Sequence, residues 1–287
     1  MSYLFQSLFN GLLAGCIYAL FAMGLTMVYR VLNFVNFAHG ELIMWGAYFL
    51  YLFMGSPFYF PLYVALLPAL GSTMLLGLGM DRVAFQPLRQ ANRLTLLIAA
   101  LGLSFFLRNG AQLFWGAELR TYGFEIQRGW KIFHIRITAN QMAIILTTLA
   151  CILMVYLLLY RSKIGKSMRA VSDNLELARV TGIDVKKTIQ FTWIISSALA
   201  CVGGILLALD TNLQPGMGMI NLVKAFAAIL LGGVGKVWGA LWGGIFIGLA
   251  ENLGVLFIST GYKDSIAFGI MVLLLLLKPS TLGVDQE

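Results

Sequence analysis

Gly165-Lys166-Ser167 is the one tripeptide in this 287-residue chain that looks like part of a nucleotide site. A phosphate-binding loop needs the spacing G-x-x-x-x-G-K-[ST], because its backbone N–H groups must wrap the phosphates. The leading glycine would fall at position 160, which is Tyr160, so no P-loop is expected here. Metal chemistry has little to work with, since His39 and His134 are the only histidines and no acidic cluster accompanies them. Cys16, Cys151 and Cys201 are odd in number and lie in apolar stretches, which implies no disulfide framework. No serine, cysteine or threonine is paired in sequence with a base in a nucleophile pattern. The expectation is a chain with no catalytic residue, no metal and no bound cofactor.

What remains is charge and polarity set in apolar surroundings. Arg108 and Glu251 are the charges deepest within apolar segments. Intramembrane charges face a partner or a cavity, so a mutual ion pair is one reading. In the other, Arg108 extends outward to water and Glu251 is held by neighbouring Ser, Asn or backbone groups. Asn33, Asn36, His39 and Glu41 cluster directly before the apolar stretch 42–54. Left facing lipid they would cost several kcal/mol, so they either line a path beside a subunit interface or cap a helix start. In the capping reading Asn36 or His39 bonds exposed backbone and Glu41 sits on the helix dipole. Gly235, Gly239 and Gly243 form a small-xxx-small row, for packing within the chain or against a second subunit.

The elements that would hold these residues are membrane helices. The chain is 60% hydrophobic and only 11% charged, against about 25% charged in a soluble protein. Apolar segments recur at 8–29, 42–54, 61–80, 94–115, 141–160, 188–209, 221–235, 237–257 and 265–277. These predict an all-α integral membrane protein with eight to nine crossings. Segments 42–54 and 221–235 are short enough to be half-helices, as in the inverted repeats of transporters. No charge precedes Arg30, so a cleaved signal peptide is not expected. The outer loop 116–140 is aromatic and β-branched enough for a short hairpin.

The most basic connection is 161–187, with Arg161, Lys163, Lys166, Arg169, Arg179, Lys186 and Lys187. Together with Arg30 and Arg82–Arg93 it places these ends in the cytoplasm, the N-terminus outside and the tail from Lys278-Pro279 inside. The net charge of +8 is mostly loop charge and gives no reason to expect nucleic acid. Within the loop, Asp173 is placed to cap a short helix, with Glu176 three residues on as in a capping box. Gly182 would end that helix in the left-handed conformation. Leu175, Ala178 and Gly182 share a narrow face suited to docking in a partner's groove. The competing reading is a solvated basic loop against anionic lipid.

Glu176-Leu-Ala178, three residues and then Gly182 resembles the cytoplasmic loop of ABC-importer permeases. Asn36-Phe-Ala-His-Gly-Glu41, Arg169-Ala170, Lys224-Ala-Phe, Leu231-Gly-Gly-Val-Gly235 with Gly239-Ala240, and Ser259-Thr-Gly-Tyr-Lys-Asp264 resemble the branched-chain amino-acid ABC-transporter permeases, in that family's order. Urea and amide permeases of the same family share much of this pattern. Lys236-Val-Trp238 departs from it, where small residues or a proline are more usual. The resemblance implies a permease fold forming one domain over 1–287, with 161–187 as coupling loop and Arg169, Asp173, Glu176, Ala178 and Gly182 carrying the coupling. It also implies a bacterial inner-membrane complex with a second homologous permease, two ATP-binding cassettes that hold ATP and Mg, and a periplasmic binding protein. That binding protein would set most of the specificity, and transport would run by alternating access. A proton-coupled carrier is the competing class, against which stands the lack of midplane acids and His relays. A membrane-embedded hydrolase is a distant third.

Overall fold

The computed structural model describes residues 2–124, 129–132 and 135–277. His134 and the tail from Lys278-Pro279 lie outside them. In chain order the helices are α1 Ser2–Leu32, α2 His39–Met54, α3 Leu62–Met80, α4 Arg93–Trp115, α5 Ala139–Arg161, α6 Lys163–Asp173, α7 Leu175–Val180, α8 Val185–Asp210, α9 Met217–Gly232, α10 Val237–Gly254 and α11 Lys263–Leu277. Between α4 and α5, β1 Trp130–Ile132 pairs antiparallel with β2 Ile135–Ile137, the hairpin expected in that loop.

All nine apolar segments are helical, but they are not nine equal crossings. Among the described residues six helices are, taken singly, long and apolar enough to span, and α9 with α10 adds a seventh only as a pair bent by 118°. Length alone does not settle the crossings expected: the end of α1, the connection after α3 and the turn between α9 and α10 all lie at the basic end of the bundle, so α2 and α9 also carry the chain between its two ends. Helix α2 has 16 residues, about 24 Å of helix against a hydrocarbon core of about 30 Å, so the non-helical residues before it make up the rest of the depth.

The two short helices are entered in the same way. Residues 33–38 separate α1 from α2 and residues 211–216 separate α8 from α9. The residue before each helix is in the right-handed region, Ala38 at φ −72, ψ −8 and Gly216 at φ −79, ψ −12. Each break closes with one turn, His39 N to Asn36 O at 3.2 Å and Met217 N to Gln214 O at 3.1 Å. Packing is exchanged between halves: α2 lies on α8, α3 and α4, whereas α9 lies on α1, α10 and α11, and α3 contacts α8 as α10 contacts α1. Helix α1 ends beside the basic loop and α8 begins there, so α1–α4 and α8–α11 run in opposite senses. This is an inverted repeat with two half-helices at its centre.

The core is the contact of α1, α8, α9 and α10, with Phe21, Trp193, Leu20 and Ile17 fully buried. Helices α3, α4, α5 and α11 keep most of their apolar surface outward, as lipid-facing helices do.

Candidate functional site

The Arg161–Lys187 connection folds as a helical hairpin at one end of the bundle. Ser162 starts α6, its Oγ accepting from Gly165 N at 3.0 Å. The next cap differs from expectation. Asp173 is the last residue of α6, and Asn174 starts α7, its Oδ1 accepting from Leu177 N at 2.9 Å. Extended backbone at Asn174 (φ −157, ψ 109) aims its side chain at the free amides of α7. Asp173 is turned instead toward α1: Arg30 stands 3.6 Å from its carboxylate and donates Nε to Ser172 Oγ at 3.1 Å.

Helix α7 stops as foreseen at Gly182. With φ at +83, Gly182 donates to Arg179 O at 3.1 Å and Ile183 donates to Ala178 O at 3.0 Å. These two bonds satisfy the last carbonyls of the helix, and the left-handed angle favours glycine. Asp184 then caps α8. The backbone N–H of Lys187, and then its ammonium, hold the Asp184 carboxyl below the usual carboxylate range.

The small face of α7 is turned the other way from the expectation. Ala178 is 3% exposed and packed inside this chain. A six-residue helix gains its place by burying that face on its own scaffold, which leaves the opposite side free. That side presents Glu176, Leu177 at 60% and Val180 at 85% exposure. Beside α7 a cavity of about 830 Å³ is lined by Leu175, Arg179, Lys186, Phe34, Phe85 and Arg89. Arg89 is fastened to Asp81 at 2.6 Å, holding the connection after α3 against the same end.

Deeper in the bundle, Arg108 and Glu251 do not meet. Arg108 lies 3.0 Å from Glu41, whose other polar neighbour is Ser104 Oγ, donating at 2.7 Å. Glu251 is bound by Lys224 at 3.1 Å and accepts from Tyr18 OH at 2.8 Å. Lys224 also reaches Asp264 at 2.7 Å. One pair thus joins α2 to α4 and the other joins α9 to α10 and α11. Neither reading of the sequence holds, neither the mutual pair nor Arg108 reaching water with Glu251 held by Ser, Asn or backbone: each charge takes its counter-ion from a packed neighbour, Glu251 from Lys224 on α9 and Arg108 from Glu41 on α2. Lys224, Tyr18, Ser104 and Asp264 were missed; Lys224 was visible only as part of a motif, although a lone acid such as Glu251 calls for a cation.

The polar cluster before α2 divides. Asn36 Oδ1 accepts from Ala38 N at 3.1 Å, an Asx turn before α2; the helix itself has no side-chain cap, so the capping reading is not met. His39 is fully buried, with Nδ1 3.5 Å from Ser196 Oγ. Glu41 serves the ion pair, and Asn33 takes a positive φ of 54 at the end of α1. In the glycine row, Gly239 and Gly243 lie against the Gly232 and Ala228 carbonyls of α9 within this chain. Gly235 is not part of that seam: it is a turn residue at φ +80 with open space beside it.

Comparison with known proteins gives the family. A family described as the branched-chain amino acid transport system / permease component matches residues 7–275. The high-affinity branched-chain amino acid transport system permease protein LivH of Escherichia coli (strain K12) is 34% identical, over 97% of this chain and 94% of that protein. BraD of Pseudomonas aeruginosa, which carries the same description, is 34% identical over 96% and 94%. Among solved structures, a chain of PsaBC from Streptococcus pneumoniae in complex with Fab aligns over 98% of this chain and 94% of that one, with a TM-score of 0.52 at 12% identity, a likeness of fold. The chain, a multi-pass membrane protein, belongs to the branched-chain amino acid transport permease family.

Proposed function

We propose that this chain, as a single permease domain over 1–287, is one membrane subunit of an ATP-driven importer of branched-chain amino acids. The match to the permease family along nearly the whole chain carries this reading. Two ATP-binding cassettes hydrolyse ATP, a second homologous permease completes the pathway, and a binding protein delivers substrate from outside an inner membrane. The basic loop faces the cytoplasm, consistent with the excess of Lys and Arg there. ATP and Mg belong to the cassettes; this chain binds no cofactor.

In this reading the α6–α7 hairpin couples the cassettes to the spans. Leu177 and Val180 are its exposed apolar pair and fit a hydrophobic groove at the i, i+3 spacing. Ala178 supports α7 from beneath, and Gly182 sets its exit. Arg169 and the contact of Arg30 with Ser172 and Asp173 carry displacement of the hairpin into α1. Glu176, exposed beside Leu177, would give the groove a polar edge. The Glu41–Arg108 and Glu251–Lys224 pairs, with Asn33, Asn36 and His39, hold the half-helices in register while the bundle alternates.

The test is reconstitution of the complex in proteoliposomes. Leucine uptake should require ATP inside and loaded binding protein outside, and should vanish when the cassettes cannot hydrolyse ATP. Uptake that survives inactive cassettes and collapses with the proton gradient would make the chain a secondary carrier. Uptake of urea in place of leucine would reassign the substrate.

A further inference from the structure

We propose that the groove beside Lys236 and Trp238 binds the phosphate headgroup of an anionic phospholipid, with the acyl chains lying along α5 and α10. This does not depend on the transport reading. The groove, about 530 Å³, opens at the basic end of the bundle among Arg30, Tyr160, Arg169, Lys236 and Trp238. Those residues come from α1, α5, α6, the turn into α10 and α10 itself.

The charges do not cancel. Arg30 is taken by Asp173 at 3.6 Å. Arg169 and Lys236 have no carboxylate within 4 Å among the described residues. The Arg169 guanidinium lies over the Tyr160 ring at 5.3 Å, which fixes its plane. Trp238 donates its indole N–H to Tyr160 OH at 2.9 Å. Tyr160 OH accepts that bond, so its own proton is free to be donated. Two cations and one hydroxyl donor therefore converge on one opening, the donor set for a phosphate monoanion.

An apolar bed leads away from the opening. Trp238, Trp242 and Phe246 repeat every four residues on α10, and Tyr160, Tyr156, Leu153 and Leu149 follow one face of α5. All of these but the half-buried Trp238 are exposed; Trp242 is 68% exposed. Where the two stripes meet, Trp238 stacks on Tyr160 at 6.3 Å and meets Tyr156 at a tilt at 5.9 Å. Charge at one end and a long apolar strip behind it is the profile of an amphiphile. Aromatic rings between the two are where membrane proteins meet the interface. A protein helix docked here would need its own carboxylates at the foot of the groove and nowhere else.

Native mass spectrometry of the complex purified in mild detergent and titrated with dioleoyl phosphatidylglycerol tests this. Wild type should retain the lipid, and Arg169→Gln with Lys236→Gln should weaken retention about thirtyfold, as expected for two juxtamembrane cations. Lys236→Arg, with Arg169 intact, should retain the lipid nearly as wild type does. Tyr160→Phe, which removes one hydroxyl and leaves packing intact, should weaken it about fivefold and serves if the double variant misfolds. Dioleoyl phosphatidylcholine should bind more weakly and alike in all variants. Equal retention of both lipids, or of phosphatidylglycerol by wild type and both kinds of variant, overturns the proposal. Competition by free glycerol phosphate at matched concentration would assign the groove to a soluble phosphate and overturns it too. So does loss of the partner permease from the double variant with lipid retention unchanged, which would make this a subunit interface.

Discussion

Gly40 on α2 and Gly218 on α9 touch backbone to backbone at the point where the two half-helices begin. A Cβ on Gly40 would stand 2.7 Å from the Gly218 carbonyl oxygen, and one on Gly218 would be closer still to the Gly40 carbonyl. Each residue is the second of its 16-residue helix, so the contact lies on the axis that relates the repeats. Alanine at Gly40 or Gly218 should therefore force the helices apart and cost about 1–3 kcal/mol, as overpacking does. Gly216→Ala is the control, because Gly216 has φ −79 and open space beside it. Thermal unfolding in detergent should show a lower midpoint for Gly40→Ala and Gly218→Ala and none for Gly216→Ala. Equal midpoints for all three would mean that the half-helices do not meet.

The two buried ion pairs make separate predictions. Lys224→Met strands Glu251, which is fully buried, with Tyr18 as its remaining partner. Breaking a buried pair from one side costs about 3–5 kcal/mol. Glu251→Leu should be milder, because Lys224 keeps Asp264, and Glu251→Gln milder again, because Tyr18 can still donate to it. The double change Lys224→Met, Glu251→Leu should recover much of the loss. Arg108→Leu combined with Glu251→Leu should instead be additive, since the two residues share no partner. Strong coupling between Arg108 and Glu251 in a double-mutant cycle would contradict the pairing seen here.

How far the sequence could be read followed from what each feature depends on. The nine apolar segments, the hairpin at Trp130–Ile137 and the stop at Gly182 depend on composition and local backbone preference, and all were legible. Even the half-helices were visible as short segments at 42–54 and 221–235. The partner of Glu251 was not, because Lys224 lies 27 residues away and only the packing of α9 on α10 joins them. Likewise Arg108 and Glu41 are 67 residues apart. Asp173 and Asn174 are both capping residues, and which one caps depends on where the chain bends between α6 and α7. Periodicity put Ala178 on a small face, but it cannot say whether that face meets another protein or its own scaffold.

Orientation is open to direct measurement. In a background lacking Cys16, Cys151 and Cys201, a single cysteine at Val180 should react with an impermeant maleimide only from the cytoplasmic side. One at Leu119, 63% exposed in the loop after α4, should react only from outside. Labelling on the reverse sides would invert the topology and remove the hairpin from reach of the cassettes.

Helix α7 separates coupling from folding in one comparison. Ala178 is buried beneath the helix, so Ala178→Arg drives a charge into this chain's own packing, at a cost of several kcal/mol. It should lower membrane abundance and the recovery of every partner alike. Leu177→Glu and Val180→Glu change only the outer face, so abundance and pairing with the second permease should stay at wild-type levels. What they should lose is the cassette: an apolar anchor replaced by a charge at a docking centre is a change of about 2 kcal/mol or more, some thirtyfold in affinity. Stimulation of ATPase by loaded binding protein should fall in step with cassette recovery. Arg179→Ala, which lines the neighbouring cavity, should do much less. Wild-type stimulated ATPase and uptake in both Leu177→Glu and Val180→Glu would show that the cassettes engage some other surface, and the coupling role assigned to the hairpin would fall.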